Sequence, residues 1–293
     1  MISLGPICEG TFKKRPSAKC KTPYVSDVTI CSNDAEGAAS AHSIDILAHS
    51  PSLGCSGLID KGTSAKMILT SMDDYKQKKQ VCSHKIQLVK LPHKGGVAEQ
   101  PEHTLICVNP KLSEQLVELC FINNVFPSHL DFLNNVKSLK AEQSSTDVSF
   151  GSGDAEPSAQ ITKSRFDFFG KTKTNKNFIL EVKSVPLIDP ETNEAVFPDG
   201  PQKKKGAVIS PRALKHINHL REICESKWDG YTILAFCVQR GDACGFKLSE
   251  KDPTYKNAVN MAKESGVIII VLYFNWILVN SEAHCDLENI QIY

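Results

Sequence analysis

The chain has 293 residues, 41% of them hydrophobic and 23% charged, with a net charge of +1 at pH 7. That length suits one large domain or two, and the composition is that of an ordinary soluble globular protein. The near-neutral balance excludes an overall basic field as the means of holding nucleic acid, so any such role must come from local clusters.

No apolar run reaches the roughly 18 residues of a membrane span. The longest, "GVIIIVLYFNWILV", lies between Gly266 and Asn280 and reads as a buried strand that runs on into a second short one. The opening "MISLGPICEG" has neither a basic segment nor an adequate apolar stretch for a secretory signal. The expected location is intracellular, cytoplasmic or nuclear, with no membrane partner and no secretion. Eleven cysteines, an odd number without a CxxC pair, read as reduced thiols used as small apolar residues.

In chain order, the first hundred residues hold short β-like runs, "YVSDVTIC", "HSIDILAH", "AKMILTS" and "HKIQLVKL", separated by Gly-, Ser-, Asn- and Asp-rich turns. Strands at this spacing suggest a small barrel or sandwich. Pro92 to His103 reads as a long hairpin tip or linker, and "TLICVN" follows it. A helix then opens with Asn109 as cap and Pro110 at its first position, with Leu112, Leu116, Leu119 and Cys120 on one apolar face. The Ser-, Gly- and acid-rich span 141–160 reads as a flexible insertion.

The remainder alternates strand and helix. The strands are "SRFDFFG", "NFILEVKSV", "YTILAFCVQ" and "GVIIIVLYF". One helix has Ser210 as cap, Pro211 next, and Leu214, Ile217, Leu220 and Ile223 turned inward; the other has Asp252 as cap, Pro253 next and Gly266 as its stop. Apolar strands joined by helices imply a mixed or parallel sheet covered on at least one face.

Within "NFILEVKSV", Glu181 and Lys183 share a strand face with Ile179, and charges on an apolar strand are costly to bury unless paired. Fourteen residues earlier Asp167 shares a face with Arg165 and Phe169, opposite Phe166 and Phe168. Two carboxylates converging at a sheet bend suit a hard cation such as Mg2+ or Mn2+. Lys183 beside them would orient a water for attack on phosphorus. The alternative is an ion pair of Glu181 with Lys183 or Arg165 on a half-exposed face. A second Glu-x-Lys, Glu225 to Lys227, ends a helix and is a solvated turn. No phosphate-loop or dinucleotide pattern and no Ser-His triad pattern is present.

The ordered set "KRPSAKCKTPYVSDV", "AHSPSLGCSGLIDKGTSAKMILTS", "ICVNPKLSEQLVEL", "SRFDFFG", "FILEVKSVPL", "AVFPDG", "ALKHINHLREI", "CVQRGDACGFKLSEKDPTY" and "AKESGVIIIVL" resembles the sugar fermentation stimulation protein family (SfsA) over nearly the whole chain. The resemblance implies an α/β (α+β overall) protein: an OB-like β-barrel, residues 1–103, then a restriction-endonuclease-like mixed sheet flanked by helices, residues 104–293. The second part is similar to the PD-(D/E)xK superfamily, whose acid falls on Asp167 and whose Glu-x-Lys falls on Glu181 and Lys183. The chain departs from the family at "HSPSLG" for HCPNTG, at "EQLVEL" for NRLV and its acids, and at "SPRA" for TERG. Those changes bear on the amino-terminal surface and the helices, not on the acidic residues.

Two basic runs are candidates for phosphate contact. The first comprises Lys203, Lys204, Lys205, Arg212 and Lys215, with Arg212, Lys215 or His216, and His219 along one exposed helix edge. The second is the early arm with Lys13, Lys14 and Arg15, continued by Lys19 and Lys21. Arg165, Glu118, Gln239 and Arg240 are further candidates for the pocket. The expectation is a nucleic-acid-binding protein, DNA foremost, with a metal-dependent phosphodiesterase constellation. The alternative is a non-catalytic DNA-binding regulator linked to sugar (maltose) metabolism.

Overall fold

The computed structural model describes residues 2–32, 42–52, 57–59, 66–72, 80–92, 103–144, 164–200, 202, 204, 206–226 and 228–293. The chain divides into two compact units. One comprises Met1–Leu112, Gln239–Asp242 and Phe274–Leu287; the other comprises Ser113–Val238, Ala243–Tyr273 and Glu288–Tyr293.

The first unit is built from β1 (Ile2–Leu4), β2 (Ile7–Lys14), β3 (Val25–Ser32), β4 (His42–His49), β5 (Lys66–Ser71), β6 (His84–Pro92) and β7 (His103–Cys107). Strands β2, β3 and β4 form an antiparallel meander, β5 pairs with β2, and β6 pairs with β5. Closure comes from β4, which runs parallel to β6 at Ala48↔His84 and His49↔Lys85. The order β4-β3-β2-β5-β6 with that return pairing is an OB-like five-stranded barrel. Val28, Ala48, Met67, Leu69, Ile86 and Val89 pack together as its core. β7 continues the sheet beyond β6.

The second unit contains α1 (Pro110–Ile122), a 3-10 segment at Ser128–Leu133, β8 (Ser138–Ser144), β9 (Arg165–Lys171), β10 (Asn177–Val185), β11 (Glu194–Phe197) and α2 (Pro211–Glu225). It continues with β12 (Gly230–Gln239) as far as Val238, β13 (Gly245–Leu248), α3 (Pro253–Glu264), β14 (Ile268–Val279) as far as Tyr273, and β15 (Glu282–Ile292) from Glu288 on. Its main sheet runs β15-β14-β12-β10-β9-β8, with β10 and β12 parallel and both β8–β9 and β9–β10 antiparallel. The parallel pair needs a crossover, and α2 lies within it. Strands β11 and β13 form a separate parallel pair.

Capping follows the sequence. The Asn109 side chain accepts from the Lys111 N–H at 3.2 Å, Ser210 from Ala213 at 3.4 Å, and Asp252 from Tyr255 at 3.0 Å. Gly266, at φ 103°, ends α3. One face of the sheet is covered by α2 and α3, where Ile217, Leu220 and Ile223 pack with Tyr255 and Val259 against Ile179, Leu234 and Phe236. On the other face, Phe121 of α1 stacks on Phe178 of β10 with ring centroids 5.4 Å apart. The buried positions of α1 include Val117 and Phe121, whereas Leu119 is only partly covered.

That close approach fixes one residue of β9. A Cβ on Gly170 would lie 2.3 Å from the Phe178 ring and 2.6 Å from the Ser138 carbonyl oxygen. Gly170→Ala is therefore expected to lower stability by about 1–3 kcal/mol, read as a lower urea midpoint at unchanged slope.

Two expectations are modified. The run ending at Val279 is one continuous strand, because no turn residue interrupts it before Asn280 and Ser281, both at positive φ, carry the chain back into β15. Of the span 141–160, the first four residues belong to β8 and the rest lies outside the described residues. The ten described cysteines are all free thiols, five of them buried; burial pushes Cys82 up to about 11 and Cys120 up to about 12. No helix among the described residues is long and apolar enough to cross a membrane.

Candidate metal centre

The site begins where two strands part. Strands β9 and β10 pair from Asn177↔Lys171 to Leu180↔Phe168, and there the ladder stops. On its other side β10 stays paired with β12 as far as Val185↔Val238. Past Leu180, this edge of β10 has no partner strand among the described residues, and its main-chain groups must be satisfied in another way. Asp167 does so: its Oδ2 accepts the Val182 N–H at 2.7 Å. The carboxylate of β9 thus replaces a ladder bond one residue beyond Glu181.

The strand alternation breaks at the same place. Phe169 packs with Ile179 on the face covered by α2, as strand periodicity requires. Phe168 faces the other way, 6.3 Å from the Phe121 ring. Phe166, expected beside Phe168, instead meets His216 and His219 of α2 at 6.4 and 5.8 Å. The bend in β9 turns Phe166 toward α2 and leaves Asp167 facing the opened edge of β10.

Glu181 is 1% exposed, not on a half-exposed face, because α2 and α3 cover its side of the sheet. Its Oε1 accepts hydrogen bonds from Lys183 Nζ and from His216 Nδ1. Burial pushes the Glu181 carboxyl upward, but the Lys183 charge and the His216 hydrogen bond outweigh it and hold the group below the usual range. Glu181 is therefore ionised. Its second oxygen, Oε2, is buried and meets no hydrogen-bond donor among the described residues. A buried carboxylate oxygen left bare is costly.

Asp167 differs. Burial, and then the charge of Glu181, push its carboxyl up to about 7, against the opposing effects of Lys183 and the Val182 N–H. Glu114 of α1 adds a smaller push in the same direction. Two carboxylates thus repel each other in a mostly dry place, with one bare oxygen between the protein and any incoming charge. The donor set suits a hard divalent cation: Asp167 and Glu181 would hold it and water would fill the remaining positions. Among the described residues, no three His, Cys, Asp or Glu side chains already converge into a closed metal cage.

The structure brings Asp167, Glu181 and Lys183 together. Arg165 is elsewhere: its guanidinium pairs with the Glu142 carboxylate and its Nε donates to the Glu142 carbonyl at 3.1 Å. Glu118 is exposed, and the acid on α1 whose charge reaches Asp167 is Glu114, one turn earlier. Gln239 and Arg240 belong to the first unit and are buried. Gln239 Oε1 accepts from Trp276 Nε1 at 3.3 Å, and Arg240 pairs with Asp242 at 2.6 Å.

The basic candidates are mixed. Arg212, Lys215, Lys204 and Lys14 are exposed. Lys203 and Lys205 lie outside the described residues. Lys13 pairs with Asp45 at 2.7 Å, and the half-buried Arg15 donates to the Pro23 carbonyl at 3.4 Å. The exposed helix edge expected to include His216 and His219 is corrected: they are 6% and 1% exposed and face the sheet. The signal for this was present, since Ala213, His216, Ile217, Leu220 and Ile223 follow the 3-4 spacing of a buried face.

Comparisons with known proteins agree with the fold. The family model described as sugar fermentation stimulation protein RE domain matches residues 130–278. A sugar fermentation stimulation protein homolog from Prochlorococcus marinus is 23% identical over 94% of this chain and 93% of its own length. One from Pseudomonas paraeruginosa is 31% identical over 62% of this chain and 65% of its own. Among solved structures, SfsA from Pyrococcus furiosus in complex with Ca2+ superimposes with a TM-score of 0.53 at 15% identity, covering 97% of this chain and 95% of that one. The likeness extends to the barrel and the mixed sheet together.

Proposed function

The chain belongs to the sugar fermentation stimulation protein family, and from that membership and the geometry of Asp167, Glu181 and Lys183 we propose that it is a divalent-metal-dependent nuclease acting on DNA. In this reading an OB-like domain at 1–103 and a PD-(D/E)xK-like domain at 104–293 bind the substrate and carry the chemistry. The observation that carries the proposal is the bare, buried Oε2 of an ionised Glu181 beside Asp167. The relative solved with Ca2+ binds a hard divalent cation, which supports the same class of ligand here, with Mg2+ or Mn2+ as the working ion.

When bound, the cation would lower the pKa of a water and offset charge on the phosphoryl oxygens. Asp167 and Glu181 would hold it. Lys183, its ammonium on Glu181 Oε1 and 13% exposed, stands where it can orient the attacking water and stabilise the negative charge that develops on the phosphate. Arg212, Lys215, Lys203, Lys204 and Lys205, with Lys13, Lys14 and Arg15 on the barrel arm, supply backbone phosphate contacts that set affinity. In this reading the protein acts inside the cell, in the cytoplasm or nucleus.

The absence of a preformed cage among the described residues favours a second reading, a DNA-binding regulator of sugar use that does not turn over. Purified protein incubated with end-labelled single- and double-stranded DNA and RNA, in Mg2+, Mn2+ or EDTA, separates the two. Metal-dependent products from DNA are expected. Retention without products would favour the regulator, and no retention even at low salt would overturn both.

A further inference from the structure

We propose that His216 is a positioning residue that decides which oxygen of Glu181 meets the cation. This rests on the metal-site reading above and adds a residue that the Glu-x-Lys pattern does not contain. Oε1 of Glu181 carries two donors, Lys183 Nζ and His216 Nδ1, while Oε2 is buried and carries none among the described residues. An ionised carboxylate only accepts, so the Nδ1 of His216 bears the proton that it donates. The two oxygens are chemically alike, and the terminal torsion of a glutamate is soft and roughly two-fold. Something outside the side chain must hold its rotation.

Lys183 is a poor anchor for this, because it is long, flexible and carried by the same strand two residues on. His216 is a better one. It projects from α2 and is buried, and its ring is packed edge-on against Phe166 at 6.4 Å and 62°. Phe166 in turn is placed by the bend in β9 that positions Asp167. One imidazole thus ties the helix to both strands that supply the carboxylates. With Oε1 clamped, Oε2 is left as the oxygen for the metal. Partners of this kind behind a metal ligand typically contribute 10- to 100-fold in metal affinity.

The test is Mn2+ titration of metal-free protein, followed by the electron paramagnetic resonance signal of the free ion, with thermal melts of each metal-free variant. His216→Ala and His216→Leu, the second keeping apolar volume, should weaken Mn2+ binding by about 10- to 100-fold. His216→Asn, whose amide N–H can occupy the place of Nδ1, should recover affinity to within about threefold of the parent. A residue serving packing alone would let Leu rescue and Asn not. Parent-like affinity in both Ala and Leu, or an Asn variant as weak as Ala, would overturn the role of His216 and leave the metal site standing. If the parent protein itself binds no Mn2+, the metal-site reading falls and this inference falls with it.

Discussion

Replacing Lys183 by Met is expected to lower the proposed metal-dependent cleavage of DNA by about 10²–10³-fold, the scale of removing one preorganised charge-stabilising group. Affinity for uncut DNA in EDTA is expected to stay within about threefold, because the proposed phosphate contacts lie elsewhere. Methionine is chosen because it keeps much of the aliphatic stem. The ammonium is one of two donors to Oε1 of Glu181, so its loss leaves a buried carboxylate with His216 alone. Breaking a buried pair costs on the order of 3–5 kcal/mol, so a lower melting temperature accompanies the loss of rate. Adding Glu181→Gln to Lys183→Met separates the two effects, since it removes the carboxylate's charge and thereby the need for a counter-ion. That variant is expected to be equally inactive, yet closer to the parent in stability. The checks are single-turnover cleavage with Mn2+, fluorescence anisotropy in EDTA, and circular-dichroism melts at one pH.

Asp167→Asn is expected to raise the stability of the metal-free protein at pH 8 and to remove the stabilisation given by metal. The sign follows from the protons bound. The Asp167 carboxyl is pushed up to about 7 in the folded chain from an ordinary 3.8, so between those values the folded state holds a proton that the unfolded state has released. Stability attributable to this group falls as pH rises through about 4 to 7, and the deficit is complete above 7. An amide cannot ionise, and its oxygen still accepts the Val182 N–H. The gain at pH 8 is on the order of 2–4 kcal/mol and vanishes at pH 4 and below. Metal reverses the ranking. At a concentration 100 times its dissociation constant, a cation bound to the folded parent adds about 2.7 kcal/mol, and the variant gains little of it. Melts at pH 4, 6 and 8, with EDTA or Mn2+, read both effects.

Much of the fold was legible because local rules and tertiary structure agreed. β4 and β10 coincide with "HSIDILAH" and "NFILEVKSV", and α2 and α3 begin one residue after the caps Ser210 and Asp252. Of the strands that went unread, the three longest, β2 ("ICEGTFKK"), β8 ("SLKAEQS") and β15 ("EAHCDLENIQI"), are polar or broken by glycine. They are strands because neighbours pair with them, which no local propensity records. The site was legible in part. Asp167, Glu181 and Lys183 stood out because charges on apolar strands need a reason.

His216 did not stand out, because its neighbour Lys215 invited a basic-edge reading although the buried spacing ran through the histidine. Glu114 and Glu118 occupy successive turns of α1, and only the docking of that helix decides which of them reaches Asp167. The bend that sends Phe166 to α2 is likewise invisible in an alternating "RFDFF".

Anomalous scattering from a crystal soaked in Mn2+ tests the shared cation most directly. The expected peak lies within about 2.5 Å of Glu181 Oε2 and of an Asp167 oxygen, with the His216 and Lys183 nitrogens on the opposite carboxylate oxygen of Glu181. A fully soaked crystal with no peak between those two carboxylates, or with Mn2+ held by Asp167 while Glu181 keeps both oxygens turned to protein donors, would contradict it.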